Sequence, residues 1–421
     1  MTEFPHVTDF NSFDVFGAFE DAAGKARNET KDIYSVLRRY RKNSPVYAGD
    51  ILTEEFETFS IAGIAASTVG KSVVSVFGYD EVAAVLKDPA VFSSEVYLPT
   101  LGQLHGRSFM MMDPPDHTFY RGLVKDAFGR RIAETMRGEI VEPAISKLLD
   151  KLIAAGSADL VKDFALIFPV EVLHHFLGLR PENADEFLKL GVSSLLFGTH
   201  PEIAMAGAVR LHDLLREEVD ERRAGKYSRP GLMQDLVDIE VDGRRLTSEE
   251  ITPYFGTLLA AGAETAMRGT LNTMVALLTH PDQRAAVAAN RNLLPKAVEE
   301  TLRWEGPIVA VFRQAKADTS IAGIDVPAGT GVVAWVGSAN HDDDVFTDPE
   351  TFDLARNGRP HIGFGYGPHL CIGLHVARVE IAAAVGMILD RAPDIRLDPS
   401  FAAPEILGHS FRSPAELRVL F

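Results

Sequence analysis

Cysteine is nearly missing from this 421-residue chain: Cys371 is alone. A single thiol excludes an internal disulfide, a four-cysteine zinc ribbon and a cysteine-ligated iron–sulfur cluster, and a chain without covalent cross-links reads as intracellular. Positive charge is also short, 42 Lys and Arg against 59 Asp and Glu, a formal net charge of −17. Wrapping a polyanion or lying on an acidic membrane needs a basic face, so nucleic acid and membrane are excluded as partners. Small molecules and proteins remain. The first 30 residues mix Asp, Glu, Lys and Phe without an apolar run, which reads as neither signal peptide nor membrane anchor. The expected location is the cytoplasm.

The rest of the composition, 46% apolar and 24% charged, is that of a globular protein. With no repeat, low-complexity stretch or linker, residues 1–421 are expected to form one domain, β-rich near 45–77 and 309–338 and helical elsewhere. Val82, Val85 and Leu86 mark a helical face over 79–87, stopped at Asp88-Pro89. Helical periodicity dominates from 116 to 225. Thr247 followed by Glu250 is a capping-box signal that opens the longest helical run, to about residue 279. Roughly 30 residues at 1.5 Å each would span about 45 Å. The middle of that run, 257–263, is apolar on all sides, which marks a buried central helix. Between 309 and 336 Val, Ile and Thr predominate around a Pro-Ala-Gly-Thr turn at 327–330, and a Gly-rich loop at 363–373 precedes a helix over about 374–390. The expected fold class is mainly α with a smaller antiparallel β region, α+β.

Cys371 lies in that loop, just before the helix. Unpaired N–H groups and the positive dipole end favour a thiolate there. Gly365 and Gly367 permit tight turns that aim further N–H groups at the sulfur, and Gly373 lets backbone approach a flat ligand closely. Three other readings stand beside this one. A lone cysteine in apolar surroundings is commonly an inert core residue. The glycines could form a nucleotide loop, although no βα unit precedes them. His361, His369, Cys371 and His375 could also hold zinc or non-haem iron, without a partner pair at zinc-finger distance.

The segment Phe364-Gly365-Tyr366-Gly367-Pro368-His369-Leu370-Cys371-Ile372-Gly373 matches F-G-x-G-x-H-x-C-x-G at every fixed position. In this it resembles the haem-binding signature of the cytochromes P-450, the haem-thiolate monooxygenases. The resemblance implies haem b with Cys371 as the axial iron ligand, cradled by Phe364, Gly365 and Gly373. It also implies the family fold, with haem between the long central helix and the helix after the cysteine loop.

Further segments match in order. Glu300-Thr301-Leu302-Arg303 fits the family's E-x-x-R motif, and Arg356 falls where an arginine completes that network; these three are implied to hold the fold. Ala261-Gly262-Ala263-Glu264-Thr265 resembles the oxygen-activation motif of the family. The resemblance gives Thr265 the hydrogen bond to the oxygen being activated, Glu264 the relay of protons through water, and Ala261 a place against the haem. A mid-helix threonine left to itself bonds back one turn. Asp113-Pro114-Pro115-Asp116-His117 with Arg121 resembles D-P-P-x-H-x-x-x-R, and His117, Arg121, Arg313 and His369 are implied to pair the two propionates. Two positions depart from the family pattern: Ala266 where a second hydroxyl is common, and His341 where arginine is usual.

The implied reaction inserts one oxygen atom from O2 into a small or medium apolar substrate, by hydroxylation or O-dealkylation. The chain length matches a haem domain without a fused flavin reductase, so electrons are expected from a ferredoxin and its reductase, with the enzyme a monomer. Lys125, Arg130, Arg131, Arg359 and Arg378 are the expected basic patch for that donor. Pocket walls are expected from Val96, Tyr97, Leu98, Leu101, Leu104 and Phe109, from Leu195, Leu196 and Phe197, and from Leu258, Ala261, Val309, Val311 and Phe411. Uncharged walls imply an apolar ligand, aromatic or terpenoid. The 408–414 segment and the Asn340-His341-Asp342 variation resemble bacterial aryl-ether demethylases. A non-catalytic haem sensor or carrier is the main rival reading; it would need no acid–alcohol pair at 264–265.

Overall fold

The computed structural model describes residues 9–26, 32–241 and 243–421. Its axis is the 32-residue helix Ser248–Thr279. The capping box forms as expected: Thr247 Oγ1 accepts the Glu250 N–H at 3.2 Å, and Glu250 Oε2 accepts the Thr247 N–H at 2.8 Å. Two otherwise orphaned donors are satisfied. The helix packs against Leu374–Arg391, Pro201–Arg223 and Phe168–Leu177. The stretches 251–259 and 266–277 are buried apart from the half-buried Arg268, yet Ala261 and Gly262 between them are exposed, and Glu264 and Thr265 are half-buried. The helix after the cysteine loop, Leu374–Arg391, touches it at Gly269, where an added Cβ would stand 2.6 Å from Ile381 Cδ1. Cys371 to Arg378 are all half-exposed. The two helices therefore meet at 269 and 381 and leave room beside 261–265 and 371–378.

A five-stranded sheet runs in the order Val46–Tyr47, Val73–Val76, Gly331–Ala334, Val311–Ala315, Phe92–Ser93. Its pairings are antiparallel except one: Gly331–Ala334 lies parallel to Val73–Val76. The region 45–77 is less extended than its sequence suggested. Helices Ile51–Glu54 and Ile61–Ser67 sit between its strands, started by Asp50, which accepts the Leu52 N–H at 3.2 Å, and Ser60, which accepts the Gly63 N–H at 3.0 Å. Local caps on small-residue segments outweighed β-branched content there.

Two side-chain systems lock the region that carries the cysteine loop. Glu300, Arg303 and Arg356 come together: Glu300 takes both Arg303 fork donors, Nε at 2.9 Å and Nη2 at 2.8 Å, and Arg356 Nε at 2.8 Å. Arg303 also donates to the carbonyls of Asn340, Pro349 and Thr351. His341 is buried and stacks on Tyr34, ring centroids 3.8 Å apart, with Nδ1 3.0 Å from the Gly337 carbonyl.

Candidate active site

The cysteine loop is shaped by backbone contacts. Gly365 N–H reaches Ile362 O at 2.9 Å, Leu370 N–H reaches Gly367 O at 3.0 Å, and Cys371 N–H reaches Phe364 O at 2.9 Å. Gly367 has φ +74°, and a Cβ there would lie 2.7 Å from Leu86 O, so the loop seats on the end of helix Tyr79–Lys87 only because that residue is glycine. Burial pushes the Cys371 thiol up, while the Gly373 N–H and the Arg121 and Arg378 guanidinium groups work the other way. Phe364 and Gly365 are half-buried beside it.

Four cationic or potentially cationic groups gather near that loop. Asp113 sets the first: it accepts from Ser93 Oγ at 2.7 Å, Ser94 N–H at 2.9 Å and Lys316 Nζ at 3.0 Å, and so fixes the turn into helix Asp116–Gly122. That helix carries His117 and Arg121. The His117 and His369 rings lie 4.0 Å apart. Burial, with nearby arginines, lowers His117 to about 4 and His369 to about 2. Both His117 nitrogens and His369 Nε2 are buried without a hydrogen-bond partner among the described residues. Arg121 donates to Leu370 O at 2.5 Å. Arg313, 4% exposed, donates to Phe312 O at 2.7 Å and forms no ion pair among the described residues.

On the central helix, Thr265 Oγ1 donates to Ala261 O at 2.7 Å. Its only proton is thereby engaged, so the hydroxyl offers lone pairs to anything beside it. Glu264 is not free: Arg268 grips it with Nε at 2.9 Å and Nη2 at 2.6 Å. An acid followed four residues later by arginine is a readable signal, but Arg268 was absent from the sequence-based site.

The expected pocket residues divide. Val96 and Val309 pack in one core cluster with Trp335, while Leu196, Leu258 and Phe109 are buried in another. Tyr97, Leu98, Leu101, Leu104, Leu195, Phe197 and Val311 are half-buried. The Tyr97 hydroxyl accepts the Phe312 N–H at 3.1 Å, and Phe197 meets Phe59 edge-on at 5.7 Å. Phe411 is 42% exposed. Of the expected basic patch, Arg378 is forked onto Glu299 at 2.6 and 2.8 Å and Arg359 is paired with Asp80 at 2.8 Å. Lys125, Arg130 and Arg131 are exposed.

A family model described as cytochrome P-450 matches residues 286–391. The monooxygenase PikC of Streptomyces venezuelae is 36% identical over 338 residues, covering 79% of this chain and 80% of its own. The chain is a member of the cytochrome P-450 family. Nocardicin C N-oxygenase of Nocardia uniformis is 39% identical, with 74% of this chain and 79% of that one covered. Among solved structures, ligand-free cytochrome P-450 TbtJ1 superposes with a TM-score of 0.80 at 32% identity, covering 93% of this chain and 98% of that one. The protein is thus a haem b monooxygenase with the P-450 fold, which removes the zinc, non-haem iron and passive-carrier readings. His361 Nε2 lies 3.2 Å from Glu299 Oε2, and no group of three or more His, Cys, Asp or Glu among the described residues could hold a metal ion. No helix among them is long and apolar enough to cross a membrane.

The residues present fit haem. A buried guanidinium without a counter-ion and three buried imidazole nitrogens, two on His117 and one on His369, without hydrogen-bond partners among the described residues are costly unless an acceptor or anion joins them, and propionate carboxylates are such groups. At Gly262 an added Cβ would meet only Leu173, at 4.0 Å, and at Gly373 only Cys371 Sγ, at 4.0 Å. Both glycines leave a flat face open where a ring could lie.

Proposed function

We propose that this cytochrome P-450 hydroxylates or O-dealkylates a small or medium apolar substrate, aromatic or terpenoid, with electrons from a separate ferredoxin system. The observation that carries the haem site is the cluster of His117, Arg121, Arg313 and His369 beside the Cys371 loop, two guanidinium groups and two imidazoles with no carboxylate ion pair among the described residues. Cys371 would ligate the iron, the four groups would hold the propionates, and Phe364, Gly365, Gly373 and Ala261 would pack against the haem. Haem, when bound, supplies the reductive activation of O2 and the oxygen-atom transfer.

The chain's own residues supply the rest. With its proton committed to Ala261 O, Thr265 would accept a hydrogen bond from a water or hydroxyl beside it and hold that group in place. Glu264, half-buried one position earlier, carries protons inward from solvent. Leu98, Leu101, Leu104, Tyr97, Phe197, Val311 and Phe411 form the accessible apolar wall, with Val96, Leu196, Leu258 and Val309 packed behind it, so binding selects by shape and apolar area. One relative, of Streptomyces fradiae, is named 20-oxo-5-O-mycaminosyltylactone 23-monooxygenase; the substrate class proposed here rests on the wall and not on that name. Lys125, Arg130 and Arg131 are the donor-docking cations without a carboxylate ion pair among the described residues.

A CO-difference spectrum of the reduced protein tests the ligand assignment: the red-shifted thiolate band is expected and is lost in Cys371→Ala. Reconstituted turnover with ferredoxin and its reductase tests the rest. Charge reversal at Arg130 and Arg131 is expected to raise the KM for ferredoxin in a salt-dependent way, with Arg378→Glu the smaller effect. An unchanged KM removes the patch from docking.

A further inference from the structure

Glu264 is bound through one oxygen. Oε1 accepts both Arg268 contacts, and no hydrogen bond engages Oε2 among the described residues. An i,i+4 pair on an exposed helix wanders and is easily screened; this one is braced from a second element. Arg268 Nη1 donates to Ser413 Oγ at 2.7 Å, and the guanidinium carbon stands 5.7 Å from the centre of the Phe411 ring. The segment bearing both residues is itself rigidly held. Arg412 is buried on Glu305, at 2.8 and 3.1 Å, and donates to the carbonyls of Gly408 and Ile406. Asn272 of the central helix donates to Arg412 O at 3.1 Å. Gly408 has φ +106°, and a Cβ there would strike Phe411 O at 2.0 Å.

We propose that Arg268 is the positioning residue of the proton path: it holds Glu264 by Oε1, leaves Oε2 as the oxygen that exchanges protons, and ties both to the pocket wall through Ser413 and Phe411. The guanidinium is planar and presents its donors in a fixed fork, so its plane, set by Ser413 and Glu264 together, fixes the carboxylate's rotation. A proton taken from solvent onto Oε2 then leaves from a defined place toward the water held by Thr265. A ligand that presses on Phe411 moves the same guanidinium, so the substrate's shape adjusts the relay. The inference rests on Glu264 as the proton carrier.

The test compares Arg268→Gln, Arg268→Lys and Ser413→Ala with Glu264→Gln in the reconstituted holoenzyme. Two quantities are read: the share of electrons recovered in product against peroxide between about pH 6 and 9, and amide hydrogen exchange over 406–414, which needs no turnover. Arg268→Gln is expected to raise peroxide relative to product about tenfold and to change the pH profile. It should also speed exchange measurably at Phe411 and Ser413, which Arg268 touches, while the amides around Arg412 stay protected. Ser413→Ala should move both the same way by less, and Arg268→Lys should recover part of each. If Arg268→Gln and Ser413→Ala keep the wild-type product share and pH profile while Glu264→Gln loses them, Arg268 is not a positioning residue. If Glu264→Gln keeps them too, the proton-carrier reading falls first and takes this inference with it.

Discussion

Glu299 and Glu300 are neighbours on helix Leu294–Trp304, each gripped by arginine, and removing their charges should have very different consequences. Glu300 is buried, as is Arg303, and its oxygens take the Arg303 fork, Arg356 Nε and the Asp353 N–H at 3.1 Å. Glu300→Ala strands two guanidinium groups in a nearly dry site, and breaking one side of such a system costs about 3–5 kcal/mol. Unfolding entropy near 2.1 cal/mol/K per residue gives about 0.9 kcal/mol/K for 421 residues. The expected fall in Tm is therefore about 3–6 °C. The Glu299–Arg378 pair is 39% and 35% exposed, so Glu299→Ala should cost no more than about 1 kcal/mol, or about 1 °C. Thermal unfolding of the two haem-loaded variants, followed by circular dichroism and by haem absorbance, measures the difference. Equal shifts, or a larger one for Glu299, would refute the argument that burial decides what these pairs are worth.

Two other perturbations follow from the same structure. Arg313→Leu removes the buried cation that has no carboxylate partner and should speed haem loss to an acceptor protein by about tenfold or more; an unchanged rate would mean that the propionates lie elsewhere. Glu380 is buried on Leu374–Arg391, and burial pushes its carboxyl up to about 8. The folded form keeps a proton that the unfolded chain releases near its ordinary value, so this group makes stability fall as pH rises from about 5 to 8, by up to about 1.4 kcal/mol per unit. Urea unfolding should show Glu380→Gln pulling ahead of the wild type over that range, and parallel curves would contradict the assignment.

Much of this was legible in the chain because the decisive features are local. Thr247 and Glu250 mark the start of the central helix, and the ten residues 364–373 carry the cysteine loop within one turn of chain. Residues set by distant partners were not legible. Nothing near Ser413 announces Arg268, and nothing near Arg378 announces Glu299, whose fork takes away a cation counted for docking. The strand at 73–76 read correctly, but its parallel neighbour is more than 250 residues away. Helices Ile51–Glu54 and Ile61–Ser67 were missed because short segments are decided by a single cap, not by periodicity.

The cation cluster has a consequence for how the protein matures. His117, Arg121, Arg313 and His369 come from three far-separated stretches and converge only when helix Asp116–Gly122, the sheet and the cysteine loop have all docked. Until then no partial fold offers the propionates a complete seat, so haem capture acts as a late checkpoint on assembly. By mass action the cofactor then draws the folded population upward, by about 4 kcal/mol when free haem is a thousandfold above its dissociation constant. In a haem-starved cell the yield of this enzyme would be set by porphyrin supply as much as by translation.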